Sequence, residues 1–169
     1  MDWVNDFWTW AWARHANELS WYIRPLFFLP FCFFAYRRSI AGMVSTVVAV
    51  FTSMFWFPAP AQPKPEVLEF LKMEQEYLLG AWTLEKTVLT LTVPLAFIGL
   101  ALAFWFRRWQ YGLVILVAVA VGKIVWSAAF GGASGTAVML PASVGLVVCV
   151  GVVFWVLRRS ARTPDSRVS

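Results

Sequence analysis

The chain has 169 residues, of which 60% are hydrophobic, with 11 Trp, 15 Phe and a formal net charge of +5. A soluble domain of this size is about 45–50% apolar, and here the excess lies in long runs, so the chain reads as membrane-embedded. Its basic balance sorts by membrane side rather than forming a patch, which excludes nucleic acid as a partner.

Residues 2–18, DWVNDFWTWAWARHANE, are too polar to span. Trp3, Phe7, Trp10 and Arg14 recur at helical spacing, which predicts a short helix lying at the headgroup level. The alternative is an outward extension of the first span. Met1–Trp12 carries Asp2 and Asp6 and no Lys or Arg. That is not a signal-peptide n-region, so the first apolar run is expected to be retained.

Five spans are expected, at about 19–36, 40–57, 83–106, 110–130 and 138–157. The first contains Arg24, Pro25 and Pro30, and proline there predicts a kinked or broken helix. Arg37-Arg38 and Arg107-Arg108 form tight basic turns after the first and third spans. Pro58 ends the second span, and PAPAQPKP after it cannot be helical. Residues at about 66–79 read as an amphipathic helix with acidic residues in its first turn, as the helix dipole favours. Gly131 to Gly135 form a turn, and 161–169 reads as a disordered cytoplasmic tail. The fold class is therefore an all-α integral membrane bundle of five transmembrane helices forming a single domain, 1–160. An N-terminal interfacial helix and an outer amphipathic helix between spans 2 and 3 complete it.

Five spans put Arg37, Arg38, Arg107, Arg108, Arg158, Arg159, Arg162 and Arg167 on one side, cytoplasmic by the positive-inside rule. Eight of the nine carboxylates then fall outside, all but Asp165. Four or six spans would break this order. The expected location is the inner (plasma) membrane, with the N-terminus outside and the C-terminus cytoplasmic.

On a helical wheel of 66–79, Glu66, Glu69, Lys72, Met73 and Glu76 share the polar arc, and Val67, Phe70, Leu71 and Leu78 the apolar one. Glu74 falls within the apolar arc, where an ionised carboxylate is costly unless paired. It is expected to point into a pocket between helices, unless the helix rolls and exposes it. Lys123 lies about seven residues, roughly 10 Å, from the outer end of its span; ionisable groups at that depth mark functional sites, although snorkelling would also explain it. Glu85 opens a stripe with Thr92, Ala96, Gly99 and Ala103 that permits close helix approach, and it is expected to face the bundle. An ordinary interfacial Glu85–Lys86 pair is the alternative. His15 and Glu18, one turn apart, could serve acid–base chemistry, or simply form a solvated helix end. Arg24 is always charged and is expected to find a carboxylate in Glu18, Glu74 or Glu85.

These residues define an outer, mixed-charge pocket. The reading is a multi-pass membrane protein that binds or moves a small solute or lipid, with a small anionic or zwitterionic ligand and membrane lipids as partners. A homo-oligomer or a membrane complex is a further expected partner, because five spans make a poor pathway alone. One alternative is an integral-membrane enzyme acting on a lipid or polyisoprenoid; another is an accessory subunit of a membrane complex. No nucleophile motif, inverted repeat or metal cluster is evident. Cys32 and Cys149 lie inside apolar runs and read as small hydrophobes. No metal or cofactor is expected.

Overall fold

The computed structural model describes residues 2–131 and 135–162. Those residues form helices and no strand: α1 (Asp2–His15), α2 (Glu18–Leu26), α3 (Phe28–Tyr36), α4 (Ile40–Thr52), α5 (Pro65–Leu79), α6 (Leu84–Trp105), α7 (Trp109–Gly131) and α8 (Thr136–Arg162). The chain is an all-α membrane bundle. Glu18–Tyr36, Leu84–Trp105, Trp109–Ala129 and Met139–Val156 are each long and apolar enough to cross a membrane, whereas Ile40–Phe55 is a shorter apolar helix. Large apolar side chains such as Val44, Phe51, Leu91 and Val147 are exposed on the helix surfaces, as expected of a surface that meets lipid.

The first span breaks where its prolines predict. Pro25 and Pro30 each remove a backbone donor, and the helix divides between them at Phe27, whose N–H turns to the Arg24 carbonyl, 3.2 Å away, and to that of Pro25. Helical bonding resumes with Phe31 N–H to Phe27 O at 3.1 Å. The break lets the two halves take different neighbours. The α2 half packs on α8, and the α3 half packs on α4 and α6. The Pro25 ring sits on α8 at Gly145, where an added Cβ would collide with it. One turn further along α8, the Cys149 thiol donates to the Pro25 carbonyl at 3.2 Å.

The two basic turns are built alike. Each ends a helix with paired backbone bonds, Ser39 N–H to Phe34 O and Arg38 N–H to Ala35 O in one, Arg108 N–H to Ala103 O and Arg107 N–H to Phe104 O in the other. This is the Schellman arrangement, which needs a left-handed residue at its corner. Arginine occupies that corner both times, Arg38 at φ 56° and Arg107 at φ 59°. The turns also reach across to one another. Arg38 Nε donates to Trp105 O at 3.4 Å, and Arg107 Nη1 donates to the Tyr36 hydroxyl at 3.0 Å while stacking on its ring. Both turns therefore lie at one end of the bundle.

At the opposite end, α1 crosses the end of α4: Phe7 and Trp10 pack against Phe55, and Arg14 Nε donates to Phe55 O at 3.0 Å. So α1 is a separate helix and not an extension of the first span. By these contacts α4 runs from the basic turns to the α1 end, the same height as α2 and α3 together. It closes at Phe55 in a single 3-10 turn, two residues short of the expected end.

The interior has two centres. Toward the basic turns, Phe31, Cys32, Ala35, Leu100, Phe104, Leu116 and Val153 pack together. Toward the α1 end, Ala16 and Trp21 meet Val67, Phe70 and Leu71 of α5. That second cluster lays α5 over the bundle end. Contrary to the wheel, Leu78 is 54% exposed, and its neighbour Tyr77 is the residue of that last turn that packs on Trp126 of α7. The tail also differs from expectation, since α8 stays helical to Arg162. Of the expected disordered segment, 163–169 lies outside the described residues, as do 132–134 of the glycine turn.

Candidate functional site

Four elements, α5 and three that meet beneath it, each contribute one polar side chain. His15 ends α1, Arg24 lies in the last turn of α2, Glu74 belongs to α5, and Lys123 belongs to α7. They share the wall of a cavity of about 290 Å³. The rest of its wall is mainly apolar, including Phe28, Phe97, Leu116 and Pro141.

His15 is the centre of the polar group and is buried, 6% exposed. Arg24 Nη2 lies 3.0 Å from His15 Nδ1. A guanidinium has donors and no acceptor, so Nδ1 must accept. The ring proton then sits on Nε2, which faces Glu74 Oε2 at 3.4 Å. Trp21 Nε1 donates to the His15 carbonyl at 3.0 Å and closes the back of the ring. Burial holds the imidazole below its ordinary 6.5; the Glu74 hydrogen bond opposes this and the Arg24 charge adds to it. His15 is thus neutral at neutral pH. Burial alone would raise the Glu74 carboxyl, but the His15 hydrogen bond and the charges of Lys123, His15 and Arg24 prevail and hold it below its ordinary 4.5. Glu74 is therefore the ionised member of the pair.

Arg24 is anchored on its other side by Ser53, whose Oγ accepts from Nε at 3.3 Å and donates to Val50 O at 2.6 Å. Lys123 holds its ammonium over two ring faces, 4.4 Å from the Trp126 centroid and 5.5 Å from that of Phe70. It has no hydrogen-bond acceptor among the described residues. Cation–π contact of this kind compensates part of the desolvation of a lysine. The side chain reaches toward the α5 end of α7 and lines the cavity there.

Two expected members are elsewhere. Glu85 is exposed and does not line the cavity. It stands in the first turn of α6, where a carboxylate suits the helix dipole. Its neighbour Lys86 is the inward residue, 3% exposed, donating to Leu78 O at 2.8 Å and Gly80 O at 3.0 Å. Lys86 thereby satisfies carbonyls left open at the end of α5. The small-residue stripe of α6 packs only toward the basic turns, where Ala103 is buried and Gly99 approaches Ile115, while Thr92 is exposed. Glu18 instead pairs with Lys64 of the proline-rich loop at 2.9 Å, and that carboxylate holds the Lys64 ammonium above its ordinary value. His15 and Glu18 do not share a helix face because the chain breaks between them. Asn17 caps α2, accepting from Leu19 N–H at 3.1 Å, and its amide holds the loop through Pro58 O at 2.9 Å.

Arg24 also departs from expectation, since its direct partners are a neutral imidazole and a hydroxyl, with Glu74 one step beyond. Sequence reasoning assigned Ser53 no role and treated Lys86 only as the interfacial partner of Glu85. Ser53 adjoins Thr52 at the same helix end and only the packing separates their roles, and the choice of Lys86 over Glu85 depends on the roll of α6. No family model matches the chain, and neither a curated protein nor a solved structure is similar to it.

Proposed function

We propose that this protein binds a small anionic or zwitterionic ligand in the cavity beneath α5, as a multi-pass membrane protein with that end facing outward. The reading is carried by one observation: His15, Arg24, Glu74 and Lys123, from four separate elements, converge on one cavity. Charged groups within a membrane bundle are costly and mark ligand or ion sites. Lys123 and the Arg24 Nη1 group have no acceptor among the described residues and both side chains line the cavity, so donors remain for a ligand.

The orientation draws support from the shared end of the two arginine turns, with α8 returning to it through Val153 against Phe104 and Leu116. The positive-inside rule makes that end cytoplasmic and requires α4 to cross. In this reading α4 is a fifth span, its short length being offset by local bilayer thinning, and the membrane is the plasma membrane.

Glu74→Gln, Lys123→Met and the double variant test the site. Each single variant is expected to fold in detergent and to lose the stabilisation that small anions or zwitterions confer on the wild type in a thermal-shift screen. Collapse of both single variants with recovery in the double variant would show a structural ion pair and sink the proposal.

A second reading draws on the His15–Glu74 hydrogen bond: an integral-membrane enzyme in which His15 transfers a proton on a lipid or polyisoprenoid. Turnover of a bound lipid, abolished by His15→Gln, would separate it from simple binding.

A further inference from the structure

The shape and access of the cavity narrow the ligand class, given that the cavity is a binding site. Its charged groups are gathered at one end. From Lys123, the α7 wall continues for two turns to Leu116, about 10 Å deeper at 1.5 Å per residue, with Phe28 and Phe97 on the other elements. All of that depth is apolar. Its volume of about 290 Å³ is nearly twice the roughly 150 Å³ of a dry apolar cavity that takes up benzene. A ligand that fills it needs a polar head and an apolar extension.

The charge of the head follows from the groups around it. Arg24 and Lys123 are cationic, Glu74 is the one carboxylate, and His15 accepts from Arg24 and so carries no charge there. The cluster has an excess positive charge in surroundings where an uncompensated charge is expensive. Arg24 spends Nε on Ser53 and one Nη2 donor on His15, which leaves Nη1 for an incoming oxyanion.

Access comes from the side. The end facing water is covered by α5, with Val67, Phe70 and Leu71 buried against Ala16 and Trp21. Laterally, α4 packs on α3, and α6 packs on α3 and α7, while α4 and α6 meet each other at most marginally, Met43 and Val47 touching the cluster of Leu100 and Phe104 toward the basic turns. Val50 of α4 and Val93 of α6 both line the cavity, and Val93 is 53% exposed on the lipid-facing surface. Val50 lies one turn from Ser53, the hydrogen-bond partner of Arg24. In the proposed orientation this gap opens toward the acyl region of the α5-side leaflet.

We infer that the cavity takes an anionic amphiphile from that leaflet through the α4–α6 gap, its head on Arg24 and Lys123 and its tail along Phe28, Phe97 and Leu116. The shared chemistry with a free oxyanion makes inorganic phosphate the necessary comparison.

The test uses the full chain in an uncharged maltoside detergent, with dodecyl phosphate, dodecylphosphocholine and inorganic phosphate as probes, read by native mass spectrometry and thermal shift. One dodecyl phosphate per chain is expected, with at least tenfold weaker binding of the other two. Lys123→Met is expected to weaken dodecyl phosphate binding tenfold or more. Val93→Trp, at the gap and away from the charges, is expected to slow or abolish uptake while leaving the protein folded. Equal binding of inorganic phosphate would overturn the tail and the lateral route, yet leave the anion site standing. Equal binding of dodecylphosphocholine would overturn the anionic assignment. Unchanged uptake by Val93→Trp would overturn the route. Lack of any specific binding, with Lys123→Met behaving as wild type, would remove the binding site itself.

Discussion

Arg24 donates to His15 Nδ1 across 3.0 Å, and this one contact decides how the imidazole faces Glu74. With Nδ1 occupied as an acceptor, the ring cannot become an imidazolium without turning an N–H toward a guanidinium. His15 is the only histidine in the chain, so its protonation can be read without overlap. In ¹⁵N-histidine spectra, a single neutral ring is expected at pH 7, protonated on Nε2. Arg24→Gln is expected to admit the second tautomer and to raise the pH at which the ring charges. A wild-type spectrum showing imidazolium at pH 7 would contradict the assignment.

Acid should destabilise the protein in two stages. The folded state holds His15 below its ordinary 6.5, so below that value the unfolded chain binds the proton more readily and stability falls as pH falls. Glu74, held below its ordinary 4.5, contributes stability above that value and loses it as pH drops through its folded value. Melting temperature in detergent is expected to be flat from pH 8 to 7 and to decline below about 6.5. His15→Gln should remove the upper part of that decline and leave the lower. An unchanged profile in His15→Gln would assign the upper stage to other groups.

Lys86 and Glu85 are neighbours with opposite expectations. Lys86→Met leaves the Leu78 and Gly80 carbonyls without their charged donor, a loss of about 1.5–3 kcal/mol by the usual worth of such bonds. Limited proteolysis should then cut the 80–83 link more readily. Glu85→Gln removes an exposed charge and should stay within about 0.5 kcal/mol of wild type. Equal effects of the two changes would argue that Lys86 does not hold the end of α5.

The Pro25 seat on α8 gives a second contrast. Gly145→Ala forces a methyl into a rigid pyrrolidine ring, and overpacking of this kind costs about 1–3 kcal/mol. Because Pro25 and Gly145 both line the cavity, the same change should alter ligand stabilisation. Gly122→Ala on α7 meets open space and should leave stability unchanged or slightly raised by the better helix former. Thermal unfolding of the two variants side by side is the measurement.

Orientation can be checked by labelling. Gln62 is exposed in the proline-rich loop at the α5 end, while Cys32 and Cys149 are buried. Gln62→Cys is expected to react with an impermeant maleimide added to intact cells. Labelling only from the cytoplasmic side would reverse the orientation.

Much of the architecture is legible along the chain because it is local. Run length and composition predict the membrane helices, prolines at 25 and 30 predict the break near Phe27, and paired arginines predict the turns. Glu74 also stands out locally, since a carboxylate among Val67, Phe70 and Leu71 violates the helix's own periodicity. Its inward direction follows once those three side chains are buried. The errors have a common origin. Adjacent helical residues point about 100° apart, so a roll of α6 by about that angle exchanges Glu85 for Lys86. The Asn17 cap likewise separates His15 from Glu18, although their spacing suits a single helix.

The site itself is a long-range matter. His15, Arg24, Ser53, Glu74 and Lys123 are separated by stretches of chain that carry no record of their meeting. Hydrophobic patterning says which face of each helix is buried, and the charge order says which end it belongs to. Neither says which polar group on one element will meet which on another. That pairing is set by the packing of α5 on Trp21, of Pro25 on Gly145 and of α1 across Phe55, where shape selects one register among several of similar apolar content.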